Sequence, residues 1–72
     1  MIIKIELELD ETDIYNRLEE YENLTVEDVE NAIADYISDR YDEETAMNSY
    51  INEASLEEAY THFLNLRAEE SS

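Results

Sequence analysis

Residues 25–41 read TVEDVENAIADYISDRY. Val26, Val29, Ile33, Tyr36 and Ile37 recur every three or four positions, the spacing of one face of an α-helix. Thr25 and Asp28 have the pattern of a capping box, with Asp where Glu or Gln is more usual. The stretch predicts an amphipathic helix to about Tyr41 whose apolar face anchors the core. Asp28, Asp35, Asp39 and Asp42 follow at offsets of seven, four and three. On a continued helix they share a narrow arc, expected opposite the Val26–Val29–Ile33–Ile37 face.

Upstream, Ile3, Ile5, Leu7 and Leu9 alternate with Ile2, Lys4, Glu6 and Glu8. This period of two predicts a β-strand over 2–9 with one buried face. Asp10 and Thr12 offer caps for a first helix over 11–22, with Ile14, Leu18 and Tyr21 inward. Asn23 and Leu24 form a short link. Downstream, Asp42–Tyr50 predicts a short third helix with Ala46, Met47, Tyr50 and Ile51 inward. Ser55 with Glu58 is a better capping box and opens a last helix to about Ala68. Its stripe is Leu56, Ala59, Tyr60, Phe63 and Leu64, and Glu69–Ser72 is expected to fray. The expected fold class is α+β and mostly helical: one N-terminal β-strand, then three to four short helices, in the order β-α-α-α-α. Residues 1–72 form one expected domain. With no glycine and no proline, its turns rest on Asn, Asp and Ser.

A lone strand needs partners for its backbone N–H and C=O groups. It can pair with its copy in a homodimer through Ile2–Leu9, with an extended segment 48–52 (NSYIN), or with the edge of another protein's sheet. The homodimer is the expected solution, because a chain this small also gains core by dimerising.

Charge is the outlying property: 21 Asp and Glu against 4 Lys and Arg, a formal net charge of −17 over 72 residues. The 43% of residues that are apolar fall at regular spacing, which points to a folded chain rather than a disordered one. Without cysteine, disulfides and thiolate metal sites are excluded. The alternating N-terminus MIIKIELELD is no signal-peptide core, and no stretch is apolar enough to span a membrane. The expected compartment is the cytoplasm.

Enzyme chemistry finds little footing. His62 is the single histidine, on a helix flank. Ser38, Ser49 and Ser55 lack a nearby base. A glycine-rich phosphate loop and an EF-hand loop both need glycine. The run Asp42–Glu44 suits only weak, generic binding of divalent cations. No catalytic residue, metal or cofactor is expected. Direct nucleic-acid binding fails as well, since phosphate contacts need cations and only Lys4, Arg17, Arg40 and Arg67 exist. Arg17 is expected to pair with Asp13 or Glu20, and Arg40 with Glu44.

The carboxylates carry more information. Acids four residues apart on a helix lie roughly 6 Å apart along its axis, the scale of phosphate spacing on one nucleic-acid strand. Glu19, Glu20 and Glu22, with Asp42, Glu43 and Glu44, extend the Asp28–Asp35–Asp39–Asp42 row. A charge run on a helix is ordinarily a solvated face, and Glu27, Asp28, Glu57 and Glu58 have stabilising places at helix N-termini. Glu19, Glu20, Glu22 and Asp39 fall near helix C-termini instead, where negative charge opposes the macrodipole. Of the six tyrosines, Tyr21, Tyr36, Tyr50 and Tyr60 fall on apolar stripes, and Tyr15 and Tyr41 on flanks suited to an interface.

In size, charge and helical carboxylate rows the chain resembles the small acidic inhibitors of phages and mobile elements, which mimic DNA to block restriction enzymes or CRISPR effectors. No family motif is matched residue by residue. The resemblance implies a non-enzymatic anti-CRISPR or anti-restriction protein of the host cytoplasm. Its partner is a basic nucleic-acid-binding protein, with neither nucleic acid nor membrane bound directly. The expected contact residues are Asp28, Asp35, Asp39, Asp42, Glu43 and Glu44, then Glu19, Glu20 and Glu22. The alternative is a homodimeric adaptor or antitoxin-like partner that binds through the Ile2–Leu9 strand. Acidity as adaptation to high salt is a third reading.

Overall fold

Four helices follow one another in the computed structural model, which describes residues 7–71. They are α1 (Glu11–Leu18), α2 (Val26–Arg40), α3 (Glu43–Asn48) and α4 (Glu53–Ser71). Each start has a side chain that accepts the N–H groups a helix leaves unpaired. Asp10 accepts from the Thr12 and Asp13 N–H groups at α1. At α2 the capping box is closed both ways: Asp28 N–H donates to Thr25 Oγ1 and Thr25 N–H to Asp28 Oδ2, each at 3.1 Å. Asp42 Oδ1 accepts from Thr45 N–H at 2.7 Å at α3.

α2 is the central element and packs against α1, α3 and α4. Val29, Ala32, Ile33, Tyr36 and Ile37 bury its inner face against Ile14 and Leu18 of α1 and Leu56, Ala59 and Phe63 of α4, with Leu9 and Leu24 closing the ends. Phe63, Ile14, Leu18, Ile33 and Val29 are fully enclosed. The Tyr15 ring stacks on Phe63 at 5.9 Å between centroids. Tyrosine hydroxyls tie non-helical chain to this core. Tyr36 accepts from Asp10 N–H at 3.1 Å, Tyr41 donates to the Glu8 carbonyl at 2.8 Å, and Tyr60 donates to the Leu24 carbonyl at 3.3 Å. Rings that fill the core thereby also satisfy loop backbone groups.

Several expectations are corrected. The fold is all-α, not α+β: among the described residues there is no β-strand and no sheet. Residues 2–6 of the expected strand lie outside the described residues. The remainder leads into α1 with Leu9 buried. Here the Tyr41 hydroxyl meets the Glu8 carbonyl, which a neighbouring strand was expected to meet, and the Tyr36 hydroxyl meets Asp10 N–H just beyond the expected strand. Ser49–Asn52 forms a link and not a strand partner. The strand-mediated homodimer and the adaptor reading rest on the stretch 2–9, of which 2–6 lie outside the described residues.

α1 ends at Leu18 rather than near residue 22, which leaves Tyr21 at the surface. The two-turn α3 buries none of its residues, so Met47 and Tyr50 are 79% and 50% exposed rather than inward. Leu64 also lies at the surface. α4 begins at Glu53, ahead of Ser55; the Asn52 side chain accepts from Ser55 N–H at 2.8 Å. Ser55 is thus inside the helix, and its box with Glu58 does not form. The last turn does not fray: α4 continues to Ser71, and Tyr15 donates to Glu70 at 2.7 Å.

Candidate acidic interface

α2 sets the geometry of the acidic surface. At about 100° per residue, Asp28, Asp35 and Asp39 span an arc of roughly 40°. That arc is a flank beside buried Ala32 and Tyr36 rather than the face opposite the core. The outermost stripe is Glu27, Asn31, Ala34 and Ser38, all exposed and with one charge among them. Asp42 leaves the row altogether. α2 stops at Tyr41, whose backbone is extended at φ −125° and ψ 162°, and Asp42 turns away as the cap of α3.

The arginines explain much of the row. Arg17 donates to Asp39 at 2.7 Å and to Asp13 at 3.4 Å. Arg40 also donates to Asp13, at 2.6 Å. Both guanidiniums lie by the Tyr36 ring, at 5.9 and 5.4 Å from its centroid. The hydrogen bond to Asp39 holds Arg17 above the usual arginine value. The expected Arg17–Asp13 pair is present. Arg40 turns to Asp13 rather than Glu44, because α2 ends between them and the four-residue spacing no longer shares a helix. Arg67 of α4 has a third role. It donates to the Leu18 and Tyr21 carbonyls at 2.6 and 2.8 Å and so caps the C-terminal end of α1. Positive charge thus meets both helix ends where the acids seemed unbalanced.

The expected contact residues divide accordingly. Asp28 is half-buried in its capping box. Asp39 is ion-paired, although its side chain remains 61% exposed. Asp42 is a cap whose carboxyl the Thr45 hydroxyl and N–H hold below the ordinary value. Asp35, Glu19, Glu20, Glu22, Glu43 and Glu44 are exposed, and among the described residues no hydrogen bond or ion pair engages their side chains. They lie on α2, at the α1–α2 turn and on the first turn of α3, so they form no single straight row.

Sequence reasoning missed the double role of Asp13 and the placement of Tyr36 under two arginines. The four-residue spacing from Asp13 to Arg17 was a signal for the first; nothing local signals the second. His62 Nε2 lies 3.0 Å from Glu11 on the α1–α4 side. Among the described residues no group of His, Asp and Glu is arranged to hold a metal ion. No helix among them is long and apolar enough to cross a membrane. No protein-family model, curated protein or solved structure matches this chain.

Proposed function

We propose that this protein is a non-enzymatic inhibitor whose exposed carboxylates occupy the basic groove of a nucleic-acid-binding protein and exclude DNA or RNA from it. The target class to test first is a host defence nuclease such as a CRISPR effector, met in the cytoplasm of the host cell. One observation carries the reading. Arg17, Arg40 and Arg67 are all engaged in internal contacts on the α1 side, while Asp35, Glu19, Glu20, Glu22, Glu43 and Glu44 are exposed and form no ion pair among the described residues. Such a surface presents a net anionic field that steers and holds a Lys/Arg-lined partner.

The geometry also selects the mutations. Reversing Asp39 or Asp42 strikes an ion pair or a helix cap, so loss of binding there would be uninformative. Reversing Asp35, Glu19, Glu20 and Glu22 to Lys leaves every described cap and ion pair in place. The test is capture of a Lys/Arg-grooved nuclease from bacterial lysate, with DNA as competitor. The wild-type chain should retain the nuclease and release it to excess DNA, and the four-fold reversal should retain none with its helical circular dichroism unchanged. Retention by the reversed variant would remove this surface from the contact.

A further inference from the structure

The opposite flank of α2 carries a second, chemically different surface. Val26, Glu30, Ala34 and Ile37 lie there, roughly 180° around the helix from the Asp28–Asp35–Asp39 arc. Two adjoining depressions open beside them. The first, of about 250 Å³, is lined by Glu30, Ala34, Ile37, Ala46, Tyr50 and Ile51 among others. The second, of about 430 Å³, is lined by Val26, Glu30, Ile51, Glu53, Leu56 and Glu57. They share Glu30 and Ile51 and make one groove between α2, α3, the Ser49–Asn52 link and α4. The first depression is mostly apolar and the second mostly polar, and the charges that line both are negative. None of Arg17, Arg40 or Arg67 lines it, since each is engaged elsewhere. Met47 and Tyr50, the most exposed large apolar side chains among the described residues, belong to the segment that walls it.

The geometry points to this groove as the docking site for a cationic amphipathic helix of a partner protein. An apolar stripe of such a helix covers the floor formed by Val26, Ala34, Ile37, Ile51 and Leu56. Its Lys or Arg side chains reach Glu30, Glu53 and Glu57 at the rim. This is the helix-in-groove mode of recognition, with affinity from apolar burial and orientation from charge. A second copy of this chain is disfavoured as occupant, because it brings −17 to a rim that is already anionic. The inference stands apart from the phosphate-mimic reading: it uses the other flank of α2 and depends on apolar burial.

The probe is a fluorescein-labelled 18-residue helical peptide of Leu and Lys, with a control of the same composition scrambled to destroy the stripe. Anisotropy titrations run at physiological salt on the full chain. The amphipathic peptide should bind at least tenfold more tightly than the scrambled one. Ala34→Arg, an exposed helix position that accepts Arg without strain, should abolish that difference, whereas Asp35→Lys should leave it intact. Glu30→Gln with Glu57→Gln should weaken the amphipathic peptide several-fold while circular dichroism stays unchanged. Equal affinity for the two peptides would overturn the proposal. So would an affinity indifferent to Ala34→Arg. A dimer in sedimentation that Ala34→Arg disperses would assign the groove to a second copy and overturn it too.

Discussion

Arg67 shows how a scarce cation is used in a chain with so many acids. Its guanidinium satisfies two carbonyls at the end of α1 and links α4 to α1 across 49 residues of sequence. Charge-assisted hydrogen bonds of this type are worth about 1.5–3 kcal/mol, so Arg67→Ala should lower unfolding stability by an amount in that range. Denaturant titration checks this, and Arg67→Lys should recover only part, because a point charge cannot span both carbonyls. Asp42 makes a pH prediction. The Thr45 hydroxyl and N–H depress its carboxyl below the usual 3.8. A depressed acid stabilises the fold above its unfolded value and loses that contribution as pH falls through the folded value. Thr45→Val removes the hydroxyl and should move the Asp42 titration, followed by carboxyl NMR, upward toward 3.8.

At the scale of elements, the two capped helix starts that the sequence also suggested differ instructively. Thr25 and Asp28 form the box their spacing announced; Ser55 and Glu58 do not, because Asn52 captures the Ser55 N–H one turn earlier. Asn52→Ala should therefore cost about 0.5–2 kcal/mol, while Ser55→Ala should stay within about 0.5 kcal/mol; thermal unfolding of the two variants separates the caps. The four helices and the inner face of α2 were legible because a 3.6-residue apolar period is a local signal. The N-terminal strand was not a sound reading over 7–9, since alternation alone does not reveal that a tyrosine 33 residues away meets the Glu8 carbonyl. The same limit applies to the acidic row. Spacing placed Asp28, Asp35 and Asp39 on one arc, but only tertiary structure shows that Arg17 takes Asp39 and that Tyr41 ends the helix before Asp42.

For the whole molecule, a formal charge of −17 on 72 residues makes self-repulsion a global term that salt relieves. The thermal midpoint should rise as salt increases from low levels to about 0.15 M, where the Debye length falls to about 8 Å. Binding to a basic partner through the Asp35, Glu19, Glu20 and Glu22 surface should move the other way and weaken steeply over the same range. Competition with DNA tests the phosphate mimicry directly. Labelled DNA is bound to a purified CRISPR effector nuclease, and anisotropy is followed as this protein is added at two salt concentrations. Stoichiometric release of DNA is expected, weakening at high salt and vanishing when Asp35, Glu19, Glu20 and Glu22 are reversed to Lys. DNA that stayed bound across a panel of Lys/Arg-grooved nucleases, or was released equally well by the reversed variant, would contradict the mimicry.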